Sequence, residues 1–279
     1  MKGIMIQGTA SNVGKSILTT AICRMLTKRG YQIAPFKAQN MSSHTVRLAN
    51  QKEIGISQFE QAEAAGRPAE SWMNPVLLKP LGNMQTEVFL LGESLGVIAG
   101  TSFKKLYYEK ALSVIQEALT KARESSDFVI IEGAGSPVEM NLRERDLANM
   151  AIAELADIPV LLVADIERGG IFASIVGTLA LLTEKERACV KGIIINKFIG
   201  DPALFIDGMT WIENYTELPV LGVVPYIEHQ LEEEDSLYGR LQPDALNLAD
   251  KETEYEKLAT HLEAHVNVEK LMEIMKGDC

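Results

Sequence analysis

The chain is short of cysteine, of aromatic residues and of positive charge. Its three cysteines, Cys23, Cys189 and Cys279, lie far apart with no CxxC pair, which excludes a disulfide framework and a zinc knuckle and fits a reducing cytoplasmic setting. Against 38 aspartates and glutamates stand 27 lysines and arginines, a formal net charge of -11. That sign argues against nucleic acid or an anionic membrane as partner, so any phosphate recognised here must be held by a local site that overrides the global field. The longest uncharged stretch, Gly169 to Thr183, is too short to span a bilayer, and the opening MKGIMIQGTA has no sustained apolar segment with a small-residue cleavage site, so neither insertion nor export is expected. Histidine is scarce too: His44, His229, His261 and His265 show no metal-ligand clustering. The last two are four apart on one helix face without the acidic base of an HExxH pattern, and read as solvated helix histidines.

What is present is an apolar fraction of 47% in 279 residues, enough for a sizeable core. Short β-branched runs alternate with longer helical patterns, the signature of βαβ units: an α/β fold with a mainly parallel sheet and helices on both faces. Strands are expected at Gly3–Gln7, Gln32–Phe36, Thr86–Leu91, Phe128–Glu132, Pro159–Ala164, Gly192–Asn196 and Pro219–Val224. Helices are expected at Lys15–Arg29, Ile54–Ala65, Phe103–Glu124, Leu147–Leu155, Ile171–Leu182 and about Phe205–Thr216. In an open α/β sheet ligands bind at the carboxyl ends of the strands, so polar residues there are the best placed for chemistry. After Pro225 the pattern changes to an acidic run, Glu232 to Asp235, and then a helical stripe over Glu254 to Met275. Residues 1–228 therefore read as the main domain, and 229–279 as an acidic linker and terminal helix that could serve as a docking surface.

The segment GTASNVGKS, Gly8 to Ser16, follows the first strand and opens the first helix, the context that a phosphate-binding loop requires. Gly8 and Gly14 let backbone N–H groups approach phosphate oxygens, Lys15 supplies a point charge and Ser16 offers a hydroxyl to Mg²⁺. Thr9, Ala10, Ser11, Asn12 and Val13 complete the loop and Ile17 begins the helix beyond it. Five residues separate the two glycines where the usual pattern has four, so this is a variant loop for a nucleoside triphosphate. Glu132 ends an apolar strand directly before GAG, where an unpaired carboxylate would be costly and Mg²⁺ is a natural partner.

GTASNVGKS resembles the GTxxxVGK[ST] loop of the P-loop enzymes similar to dethiobiotin synthetase, which activate carboxylates with ATP. PFKAQNMSS (Pro35 to Ser43), EIGISQFEQAEAA (Glu53 to Ala65), MNPVLLKP (Met73 to Pro80), EGAGSPVEMNLRERDLANM (Glu132 to Met150), ADIERGGIFASIVGTLALL (Ala164 to Leu182), INKFIGD (Ile195 to Asp201) and VLGVVPY (Val220 to Tyr226) are together similar to the cobyric acid synthases, over about residues 1 to 235.

The resemblance implies the P-loop NTPase fold and ATP-dependent amidation of the b, d, e and g carboxylates of adenosylcobyrinic acid a,c-diamide, a corrinoid, through an acyl phosphate that ammonia attacks. It implies Lys15, Lys37 and Asp146 as catalytic residues, and Glu53 and Glu132 with Ser16 as metal ligands. A first-turn helix glutamate stabilising the dipole is the competing reading of Glu53. Asn196 would read the nucleobase. Gln39, Asn40, Asn74, Ser136, Asn141, Arg143, Asp165 and Arg168 would face the acceptor. The resemblance further implies a homodimer and ammonia from a glutaminase domain or subunit, because no cysteine here has the sequel that a nucleophile elbow needs. The tail resembles the connector of the a,c-diamide synthases, so that enzyme class, another dethiobiotin synthetase-like ligase and a partitioning-type nucleotide switch stay as alternatives.

Overall fold

A computed structural model describes residues 1–99, 102–141, 143–144, 146–231 and 248–277, without the side chains of 104, 105, 248 and 249. The expected acidic linker, Glu232 to Asp235, and Cys279 lie outside the described residues. The centre is a parallel six-stranded sheet in the order β12-β11-β10-β1-β9-β2. Its strands are β1 (Gly3–Gly8), β2 (Ile33–Phe36), β9 (Phe128–Glu132), β10 (Val160–Asp165), β11 (Val190–Phe198) and β12 (Val220–Pro225).

Alternation along each strand sends residues to two separate cores, because successive side chains point to opposite faces. Ile4 and Ile6 face a cluster with α1 (Lys15–Lys28), α8 (Leu248–His265) and α9 (Val268–Lys276), whereas Met5 faces one with α3 (Phe103–Glu124), α4 (Met150–Ala156), α5 (Ile171–Leu181) and α7 (Ile206–Thr216). With both faces covered, the strands read as near-continuous apolar runs. No helix among the described residues is long and apolar enough to cross a membrane.

Three expectations need correction. The strand near Thr86–Leu91 does form, as β7 (Gln85–Leu90), but it belongs to a separate four-stranded sheet, β3-β6-β7-β8, with β3 (Gln39–Met41), β6 (Val76–Gly82) and β8 (Glu93–Ala99). Two-residue turns join these hairpins at Asn83–Met84 and Leu91–Gly92, all four residues with positive φ, as the tight primed turns of hairpins require. The helix start expected at Ile54 is instead the middle of β5 (Glu53–Gly55), which pairs with β4 (Thr45–Arg47), so α2 runs Ile56–Ala64.

The terminal stripe is two helices rather than one. Chain reversal at Val266–Asn267 lets Asn267 cap α9 through Lys270 N–H and donate its own N–H to Leu221 O at 2.7 Å. The elbow lies against Gly222 of β12, where a Cβ would stand 2.1 Å from His265 O, so only glycine fits. Tyr255, Leu258, Leu262, Leu271 and Ile274 are buried in the α1 core. This terminal segment is thus a wall of the main domain, and its apolar stripe is already covered.

Candidate functional site

The phosphate loop lies where β1 hands over to α1. Asn12 and Gly14 take left-handed backbone, φ 60 and 95, and a Cβ on Gly14 would come 2.2 Å from Asn196 Nδ2, so the second glycine is demanded by both conformation and space. Asn196 Nδ2 donates to Val13 O at 2.8 Å, and Lys197 Nζ to Asn12 O at 2.6 Å. The end of β11 therefore buttresses the loop from outside. Inside it, the buried Lys15 donates to Ala10 O and Gly135 O at 3.1 and 3.0 Å.

Glu132, 1% exposed, is the hub of the site. Its Oε1 accepts from Ser16 Oγ at 2.8 Å and from Lys37 Nζ at 2.9 Å, and its Oε2 accepts from Gln61 Nε2 at 2.6 Å. A carboxylate so deeply buried is tolerated because a cation and two further donors meet it. Three expected residues, Ser16, Lys37 and Glu132, are thereby brought together from α1, the end of β2 and the end of β9.

Beyond them opens a cleft of about 670 Å³, lined by Lys15, Lys37, Gln39, Asn40, Ser136, Arg143 and Asp146 among others. Its floor is the Gly133–Ser136 turn. A Cβ on Gly133 would sit 2.3 Å from Gln7 Oε1, and Asn149 fixes the turn by accepting from Ala134 N–H and donating to Ala134 O, both at 2.9 Å. Met41, exposed at 60%, lies on the rim.

Several expected residues have other duties. Asn74 is 1% exposed; its amide donates to Lys37 O and Val76 O and accepts from Gly55 N–H. Every polar atom of that side chain faces backbone, so it pegs β5 and β6 to the strand end carrying Lys37 and is not a substrate contact. Asp146 accepts from Ala148, Asn149 and Ala151 N–H, the pattern of a helix-capping carboxylate; it holds the turn that carries Asn149.

Arg143 is paired with Glu186 and donates to Leu181 O at 3.0 Å. Asn40 donates to Gln58 at 3.0 Å, and Asp165 accepts from Glu167 N–H and faces Lys197 at 3.5 Å. Asn141 and Arg168 are exposed.

Glu53 stands in a different cluster, bonded to Thr45, Arg47 and Lys79; those donors hold its carboxyl below the ordinary range against the opposing effect of burial. Its contacts run to these cations and not to the Ser16–Glu132 pair. No group of three or more histidine, cysteine or acidic side chains among the described residues could itself hold a metal ion. A cation at Ser16 and Glu132 would need phosphate oxygens or water to complete its shell.

Sequence reading passed over Gln61, Asn149 and Gln7. Gln58 and Gln61, three apart and both buried on one face of α2, were a sign that this helix turns amides toward the site. Asn149 carried no such sign, because its partner turn is fifteen residues away.

Residues 4–236 match the CobQ/CobB/MinD/ParA nucleotide binding domain family. Curated relatives include the cobyric acid synthase of Crocosphaera subtropica, 50% identical over 237 residues that make 85% of this chain and 48% of that protein. That of Microcystis aeruginosa is 48% identical over the same shares. The chain spans about half the length of the curated relatives it matches. Among solved structures, the cell division ATPase MinD of Pyrococcus furiosus overlaps 95% of this chain and 99% of its own at 15% identity and a TM-score of 0.44. With the family match running from the first strand through the last of the central sheet, the chain belongs to the CobQ/CobB/MinD/ParA nucleotide-binding domain family.

Proposed function

We propose that this chain is the ATP-dependent synthetase part of a cobyric acid synthase, a dethiobiotin synthetase-like ligase that amidates side-chain carboxylates of a corrinoid. The observation that carries the reading is a junction: among the described residues, Lys15 alone lines both the apolar slot beside α1 and the wide polar cleft. A triphosphate held on the loop would thus end at the mouth of the cleft, beside Lys37.

Ser16 and Glu132 would hold Mg²⁺, which when bound neutralises charge on the transferring phosphoryl group. Lys15 and Lys37 then place two ammonium groups around that phosphoryl group and the acceptor carboxylate. A carboxylate oxygen attacks the γ-phosphorus, the bond to the β-bridging oxygen breaks, and ADP leaves an acyl phosphate. Ammonia adds to the acyl carbon, phosphate departs, and a proton is lost to leave the amide. The protein's part is orientation and electrostatics rather than covalent chemistry.

Gln39, Asn40 and Ser136 border the cleft, and their amides and hydroxyl suit the polar periphery of a corrin. Residues 1–228 carry the ligase chemistry, with α8 and α9 completing the core. Ammonia comes from a glutaminase domain or subunit, and the working form is a homodimer.

The experiment is mass spectrometry of adenosylcobyrinic acid a,c-diamide after incubation with the chain, Mg·ATP and ammonium, beside a sample given glutamine alone. Successive replacements of hydroxyl by amine with ammonium are expected, and none with glutamine. No mass change while ATP is bound would move the reading to another acceptor.

A further inference from the structure

The apolar slot beside α1 is built from two unlike sources. One wall is Gly14, Ile17, Asn196 and Tyr226, all within the family match; the other is Leu258 and His261 of α8, beyond its last matched residue, 236. His261 is anchored by its Nε2, 2.9 Å from Pro225 O. A carbonyl only accepts, so Nε2 carries the hydrogen and Nδ1 is a lone-pair acceptor. Burial holds the ring below the ordinary histidine range, with Lys257 and the neighbouring His265 pushing the same way, so this neutral form prevails at neutral pH. The slot starts at the first turn of α1, on the side of Lys15 away from the acceptor cleft, and its Ile17, Leu258 and Leu262 surfaces suit the face of a planar ring.

We infer that α8 closes the nucleobase site and that His261 selects adenine, its Nδ1 accepting a hydrogen bond from the exocyclic 6-amino group. This rests on the ATP reading above. A 6-oxo base presents a second acceptor to Nδ1 and leaves both lone pairs unpaired, so such bases are rejected. The segment outside the family match thereby acts as a specificity element on a site whose phosphate half lies inside it.

The test is calorimetric binding of ATP, ITP and inorganic tripolyphosphate, each with magnesium, to the full chain and to its His261→Ala and His261→Gln variants. Wild type should prefer ATP over ITP by about tenfold or more. In His261→Ala the ATP affinity should fall to that for ITP while tripolyphosphate is unchanged, which also reports an intact fold. His261→Gln, with both a donor for Pro225 and an acceptor, should recover part of the preference. A wild-type ATP-to-ITP ratio in His261→Ala overturns the inference, as does a parallel loss of tripolyphosphate, which would mean that α8 acts through α1. Wild type binding neither ATP nor tripolyphosphate would remove the nucleotide reading itself.

Discussion

The phosphate loop and the wide polar cleft meet at Lys15 yet are made differently. The loop is nine consecutive residues whose shape is enforced by local backbone and by two props from β11, Asn196 and Lys197. The cleft is assembled from the ends of β2 and β3, the Gly133–Ser136 turn and the segment ending at Asn149, and side chains bonded to backbone, such as Asn149 and Asn74, hold it in shape. A contiguous motif concentrates function in the residues that touch ligand. An assembled site spreads it over residues that only touch backbone.

Mutations can break or sharpen that contrast. The largest effect is expected from Lys15→Ala, which should abolish ATP turnover, by about a thousandfold or more, with little change in melting temperature; more than marginal turnover would undo the loop assignment. Next is Glu132→Gln, which keeps the shape but removes the charge shared by Ser16 and Lys37. The magnesium concentration for half-maximal turnover should rise about 10- to 100-fold, and an unchanged metal titration would take Glu132 out of the metal site.

On the cleft side, Asn74→Ala orphans three backbone partners and should cost about 2–4 kcal/mol of stability, read as a lower denaturant midpoint. KM for the acceptor in the remaining folded protein should move little; a KM effect without destabilisation would restore Asn74 as a substrate contact.

The smallest effect belongs to Lys79→Met. A surface pair is worth about 1 kcal/mol or less. Because the folded carboxyl of Glu53 titrates below its unfolded value, its contribution is present above the unfolded pKa and is lost as pH falls through the folded one. The stability gap between wild type and Lys79→Met should therefore close under acid conditions. A gap that is constant down to the acid end would rule out Glu53 as the partner concerned.

How much of this was legible in the sequence follows the same division. The six parallel strands, α1, α3, α5 and α7 were readable because apolar runs and helical stripes are local signals. So was the meeting of Ser16, Lys37 and Glu132, since each ends or begins an element at the carboxyl edge of one sheet. Of the four strands of the small sheet only β7 was read: β3 is three residues long, β8 is mostly exposed and so lacks apolar alternation, and β6 contains Pro80. Asn74 looked like a substrate ligand and Asp146 like a catalytic group because motif membership does not say which way a side chain faces. The break between α8 and α9 was hidden inside an unbroken helical stripe; the cap that Asn267 gives α9 and the packing of the elbow on Gly222 account for it.

The pairing of α1 with α8 also sets a schedule. Arg24 meets Glu256 across 232 residues of chain, and Leu18, Ile22, Leu26 and Leu262 share one core. During synthesis the phosphate-loop helix emerges early, but its apolar face stays uncovered until α8 follows, an interval of roughly ten to fifty seconds at ordinary elongation rates. Until α8 docks, the nascent chain presents an uncovered apolar helix face of the kind that chaperones bind.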